Sequence, residues 1–217
     1  MPVTPPDPSS IDAPRIDAAR IDAARIDAVR IDEQLVADLV AEQFPAWAAL
    51  PLRVVARGGN DHRMFRLGDD LLVRLPSGSG YVPQVAKEQA WLPRLAPCAR
   101  LPIPQVRGVG HPTSRFPAPW SVYQWLDGEP ASTAAIDDPV RFAADLAGFL
   151  VGLRDADTAD APPPGPHSAF RGGPLEHWND EMQVLFARVD GRERSFAKAL
   201  WRDALSAPFV GEPVWFH

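Results

Sequence analysis

The spacing of apolar residues changes along this chain, and each change marks a different kind of element. From residue 31 the apolar positions follow the period of a helix, which Pro45 ends. Residues 54–76, VVARGGNDHRMFRLGDDLLVRLP, instead form short apolar runs separated by a Gly-Gly turn and by a second turn at Gly68. The pattern therefore predicts one helix followed by three strands, with Arg74 as the single cation of the third strand.

The Gly-Gly turn is the first candidate for chemistry. Gly58 and Gly59 allow positive φ and a close approach of the backbone, so the turn can lay its amide N–H groups over a phosphate. Most turns of this kind only connect two strands. Both interpretations stay open at this point.

A helix predicted from Pro83 onward carries a carboxylate on its apolar face. Val85, Glu88 and Leu92 follow one another at intervals of three and four residues. Pro83 suits the first turn of this helix, and Pro93 is expected to kink or end it. Since a carboxylate that faces the core needs a cation, Glu88 is expected to meet one.

Two further strands are predicted after this helix. Residues 101–110 alternate proline with apolar residues, a composition typical of an edge strand. The run WSVYQWL, residues 120–126, predicts a buried strand that leaves its sheet through a turn at Asp127 and thus suggests a hinge.

Helices dominate the last part of the chain. Asp138 and Pro139 are typical of a helix start, and further helices are predicted after Gly173 and from Ser195. The first of the three has the period of a buried apolar face, formed by Phe142, Leu146, Phe149, Leu150 and Leu153.

The first 30 residues have the composition of a leader. A proline-rich start is followed by the pentapeptide repeat IDAPR, IDAAR, IDAAR, IDAVR over residues 11–30. A five-residue period scatters the isoleucines around a helix and gives no apolar stripe. We expect residues 1–30 to be disordered or a frayed, solvent-exposed helix, with a coiled coil or a partner-binding arm as the alternative.

Composition narrows the class of protein. The chain has 217 residues, 46% of them apolar, which is enough for one substantial core or two small ones. A net charge of −6 argues against a nucleic-acid or anionic-membrane partner, and the single Cys98 allows no intrachain disulfide. No run approaches the roughly 18 apolar residues of a membrane span. Without a recognisable signal sequence, a cytoplasmic location is expected.

Five segments in this order are similar to the aminoglycoside phosphotransferase family, which are small-molecule kinases of protein-kinase-like fold. They are GGNDHRMFRLGDDLLVRLP, KEQAWLPRLA, WSVYQWLDGEP, RFAADLAGFL and PVWFH. The resemblance implies an α+β fold with a nucleotide-binding, kinase-like N-lobe over residues 31–128, consisting of an antiparallel sheet and one inward-Glu helix. An incomplete helical C-lobe would follow over residues 129–217.

The resemblance also assigns roles to residues of the N-lobe. Gly58, Gly59 and Asn60 would cover the nucleotide phosphates, while Arg74 would reach the α- and β-phosphates and be held by Glu88. A guanidinium is a permanent, forked donor that suits both phosphate and carboxylate. The alternative is that Arg74 and Glu88 are separate surface charges.

The hinge implied by the resemblance comprises Gln124, Trp125, Leu126 and Asp127, whose backbone groups would meet the adenine edge. For Trp125, plain core packing is the favoured alternative.

The catalytic residues of the resemblance are not found in these 217 residues. In the family a catalytic Asp follows two residues after the position of His217, an Asn comes five residues later, and an Asp that binds Mg²⁺ lies further on. ATP or GTP with Mg²⁺ is the implied cofactor, and a small-molecule hydroxyl is the acceptor of the complete family member. We expect an N-terminal portion of such a kinase that is inactive as written. The alternatives are a non-catalytic nucleotide-binding or interaction module and a general α/β domain.

Overall fold

The computed structural model describes residues 23–55, 61–208 and 210–215. Gly58, Gly59, Asn60, His217 and the leader up to residue 22 lie outside the described residues. The chain divides into two compact units, one up to Asp155 and one from Ala156. The predicted boundaries at residues 30 and 128 stay predictions.

The first unit is built on a five-stranded antiparallel sheet with the strand order β1-β2-β3-β5-β4. The strands are β1 Leu52–Val54, β2 His62–Leu67, β3 Leu71–Pro76, β4 Val106–Gly110 and β5 Trp120–Gln124. Gly68 has φ +61° in the tight turn between β2 and β3, a conformation that favours glycine. The predicted strands are confirmed. The edge strand β4 starts later than residue 101, and β5 ends two residues before Leu126.

One face of the sheet carries the main apolar core. Phe65, Val73 and Val122 lie opposite one another on β2, β3 and β5, and each is at most 2% exposed. Helix α2, Glu33–Gln43, adds apolar side chains to the same cluster, namely Val36, Leu39 and Val40. Because side chains alternate along a strand, His62, Arg74 and Tyr123 lie on the opposite face.

The end of the leader is part of this core. A short helix α1, Ala23–Asp27, buries Ile26 to 1% exposure in the cluster around Val36. The expectation of a solvent-exposed helix is therefore wrong at Ile26. A scattered isoleucine pattern forms no stripe, but a single isoleucine can still fill one apolar site.

Helix α3, Val82–Leu95, starts with Pro83 in its first turn, as predicted. Pro93 lies inside the helix, which ends two residues later at Leu95. The side-chain amide of Gln89 donates to the backbone oxygen of Trp120 at 3.0 Å and to the hydroxyl of Ser121 at 2.9 Å. These bonds fix α3 against β5.

Helix α4, Pro139–Arg154, begins where predicted, with the carboxylate of Asp138 accepting from the backbone N–H of Arg141 at 2.9 Å. The prediction of its buried face is wrong for three residues. Phe142, Leu146 and Leu150 are 42%, 43% and 45% exposed. Helical period shows that side chains share a face, but burial also needs an element packed on that face.

The second unit contains helices α5, Asn179–Phe186, and α6, Gly191–Ser206. The indole N–H of Trp201 donates to the Asn179 side chain at 3.1 Å and joins the two helices. The prediction that the last helix starts at Ser195 is wrong, since α6 begins four residues earlier. Across the described ranges, no helix combines the length and apolar character needed to cross a membrane.

Candidate functional site

An ion pair lies at the centre of the polar side of the sheet. The guanidinium Nη1 of Arg74, on β3, donates to Oε2 of Glu88, on α3, and the two side chains are 26% and 21% exposed. The prediction that Glu88 meets a cation is confirmed, and the alternative of separate surface charges is wrong. A charge-assisted bond in a largely dry position is stronger than one between neutral groups.

Two further side chains complete the cluster. The Tyr123 hydroxyl donates to the same Oε2 of Glu88 at 2.9 Å, and Nη2 of Arg74 lies 3.1 Å from Nδ1 of His62. A guanidinium has donors only, so Nδ1 of His62 is the acceptor and the ring proton resides on Nε2. We refer to Arg74, Glu88, His62 and Tyr123 as the Arg74 cluster.

The protonation states in the Arg74 cluster follow from burial. Burial and, to a smaller extent, the neighbouring Arg74 lower the pKa of His62 to about 4, a shift that Glu88 opposes. Burial also raises the pKa of the Tyr123 hydroxyl, with Glu88 adding to the effect. At neutral pH His62 is therefore a neutral acceptor and Tyr123 a donor, as the observed bonds require.

Strand register brings the cluster together. Arg74 lies opposite Met64 on β2 and opposite Ser121 on β5. His62 and Tyr123 are each two residues away from those partners and so point to the same face as Arg74. Sequence reasoning missed both residues. The strand alternation could have found them, because His62 shares the parity of Met64, and Tyr123 that of Ser121.

A second polar group lies where β5 ends. The guanidinium of Arg66 sits 4.6 Å from the ring centroid of Trp125 and donates to the backbone oxygen of Asp69 at 3.0 Å. The indole N–H of Trp125 donates to the Asp127 carboxylate at 2.9 Å. The favoured core interpretation of Trp125 is wrong, since the ring is only half-buried and lies against a cation.

Backbone bonds separate the predicted hinge into two parts. The N–H of Gln124 donates to Gln105 and the N–H of Trp125 donates to Asp70, both at 2.8 Å. Within the described part of the chain, the N–H groups of Leu126 and Asp127 make no hydrogen bond. Of the four backbone N–H groups of the predicted hinge, these two are therefore not used by the sheet.

The carboxylates of the described residues do not gather into a metal site. In residues 23–55, 61–208 and 210–215, no three His, Cys, Asp or Glu side chains lie close enough together to hold a metal ion. The described residues therefore do not fit the Mg²⁺ that the resemblance implies.

Comparison with known proteins places this architecture in a family. The five-stranded antiparallel sheet with its adjoining helices has the kinase-like fold of solved phosphotransferase structures. The model of the phosphotransferase enzyme family matches residues 52–217, so the chain belongs to that family. The resemblance that the sequence suggested is thus confirmed.

Solved structures agree on the fold. The chain is similar to the GDP complex of wild-type aminoglycoside 2'-phosphotransferase-IIIa, with a TM-score of 0.62 and 18% identity over 82% of this chain and 60% of that one. It is also similar to the GDP and kanamycin complex of APH(2")-IIia, with a TM-score of 0.59 and 18% identity over 80% and 59%. The chain thus spans about 60% of the length of these structures. No curated protein matches significantly.

Proposed function

We propose that this chain supplies the nucleotide-binding part of a kinase that transfers the γ-phosphate of ATP or GTP to a hydroxyl of a small molecule. The observation that carries this proposal is the pair of Arg74 and Glu88 on the polar side of a kinase-like sheet. A guanidinium has five N–H donors. The bonds to Glu88 and His62 use one on each terminal nitrogen, so the partly exposed guanidinium retains donors for phosphate oxygens.

The proposed base site lies at the end of β5. A purine has donor and acceptor atoms along one edge, and the backbone N–H groups of Leu126 and Asp127, just beyond β5, make no backbone hydrogen bond within the described residues. The roles of Gly58, Gly59 and Asn60 at the phosphates and of Gln124 and Trp125 at the base remain part of the proposal. The GDP in both similar structures supports a nucleotide as the ligand.

The proposal for the acceptor and the activity rests on the similarity to members of the family. Kanamycin in one of the similar structures supports an amino-sugar hydroxyl as the acceptor class of the whole protein. We also propose a cytoplasmic location. We propose that residues 1–217 alone bind nucleotide without transferring phosphate. The catalytic residues of the family pattern follow the position of His217, and the described residues hold no metal-binding group of three side chains.

Calorimetric titration tests the nucleotide site. We expect ADP or GDP to bind the chain and Arg74→Ala to weaken that binding by about tenfold or more, as charge-assisted bonds predict. Adenosine has no phosphate, so its binding should not change. The matched control is Arg188→Ala, which removes an exposed cation from the second unit. Equal losses in both variants would refute the role of Arg74.

A coupled assay with Mg-ATP and kanamycin tests the absence of transfer. Binding of ADP without turnover supports the proposal. Turnover above that of Arg74→Ala would contradict inactivity. No binding at millimolar nucleotide would favour an interaction module in place of a nucleotide site.

A further inference from the structure

The last pentapeptide of the repeat, residues 26–30, packs against the sheet-containing part of the chain through two contacts. Ile26 is 1% exposed in the main core. The carboxylate of Asp27 accepts from the backbone N–H of Ser79 at 2.8 Å through one oxygen and from the Ser79 hydroxyl at 3.1 Å through the other. An apolar anchor and a polar anchor therefore come from adjacent residues.

The segment held by Asp27 leads directly into the Arg74 cluster. Ser79–Tyr81 forms a single helical turn, and α3, which carries Glu88, begins at the next residue. A Cβ on Gly78 would lie 3.2 Å from Oδ1 of Asp27, a tight approach that favours glycine. The seated repeat unit thus fixes the segment from which α3 starts.

The repeat offers this pair of anchors more than once. Every unit begins with Ile-Asp, and residues 21–25 differ from residues 26–30 only in having Ala24 where the last unit has Val29. Val29 is half-buried against the core, so the exchange costs some apolar contact but leaves both anchors intact.

We infer that residues 77–80 and the adjoining core form a docking site for an Ile-Asp pair, and that the repeat is an intramolecular arm that supplies this pair in interchangeable copies. The occupant in the structure is the last unit. The unit before it has the residues needed to occupy the same site when the last unit is lost. This inference does not depend on nucleotide binding.

A five-residue deletion tests the interchange. Removal of residues 26–30 from the full chain joins Arg25 to Ile31 and brings Ile21 and Asp22 to the positions of the lost anchors. The docked unit then reads IDAAR, the same as in the point variant Val29→Ala. We expect the deletion and Val29→Ala to have the same thermal unfolding midpoint and the same amide exchange rate at Ser79.

The decisive comparison uses Ile21→Ala/Asp22→Ala in two backgrounds. In the full chain we expect no effect on the midpoint or on Ser79 exchange. In the deletion we expect the midpoint to fall and Ser79 exchange to accelerate by roughly tenfold or more, as loss of a charged acceptor predicts. The inference would be overturned if the deletion strongly lowered the unfolding midpoint and Ile21→Ala/Asp22→Ala had no further effect on the deleted chain. Unchanged Ser79 exchange in the full-length Ile26→Ala/Asp27→Ala variant would also overturn it.

Discussion

Replacing Glu88 with glutamine should cost more stability than the loss of one surface charge. Glutamine keeps an oxygen that can accept from Tyr123, but it removes the negative charge beside Arg74. The guanidinium would then be left in a largely buried position with only neutral acceptors, the glutamine oxygen and His62, as its partners in the cluster. Because glutamine has nearly the same size as glutamate, Glu88→Gln measures the effect of losing the charge with little change in packing.

The size of the effect follows from burial. Breaking a fully buried ion pair by removing one partner costs about 3–5 kcal/mol. Arg74 and Glu88 are 26% and 21% exposed, so solvent compensates part of the lost charge. We expect Glu88→Gln to lower the free energy of unfolding by about 2–3 kcal/mol.

Urea denaturation followed by circular dichroism measures this loss. The control Glu176→Gln removes an exposed carboxylate of the second unit and should change stability by less than about 0.5 kcal/mol. The double variant Arg74→Met/Glu88→Gln should recover part of the loss, because no uncompensated cation remains. A coupling energy below about 0.5 kcal/mol in this double-mutant cycle would refute the reasoning.

Three other properties are open to measurement. The pKa of His62 is about 4 in the folded state and 6.5 in the unfolded state. The unfolded state therefore binds a proton first as the pH is lowered, and the free energy of unfolding decreases. Urea titrations between pH 6.5 and 5 should show a loss of about 1.5 kcal/mol that His62→Asn removes. Gly110→Ala would place a Cβ 2.1 Å from the Trp120 ring and should cost at least about 1–3 kcal/mol in thermal unfolding, whereas Gly80→Ala, with nothing within 4 Å, should be neutral. The exposed face of α4 should drive self-association, and Leu146→Lys should shift sedimentation toward the monomer; a wild-type chain that is monomeric at all concentrations would contradict this.

Much of the sheet could be predicted because its signals are local. The turn at Gly68 and the apolar runs on both sides of it fix β2 and β3 without knowledge of distant residues. The inward position of Glu88 was also readable, since helical period alone places it beside Val85 and Leu92.

Other features depend on contacts between distant residues. Strand alternation indicates which side chains of one strand share a face, but it does not show which strands pair. His62 joins the Arg74 cluster through strand register, and Tyr123 reaches Glu88 from 35 residues away. Ile26 is buried because the core has room for it, although the repeat shows no amphipathic period. The half-buried stacking of Trp125 on Arg66 likewise follows from where β5 stops.

The bond from the N–H of Trp125 to the oxygen of Asp70 has a mechanical consequence. It ties the chain after β5 to the turn between β2 and β3, so that Trp125 moves with the sheet. Any bending of the backbone between the sheet and α4 must therefore be taken up by residues 126–138, nearly all of which face solvent. The backbone that this bond leaves free to bend therefore begins at Leu126, two residues after the strand ends.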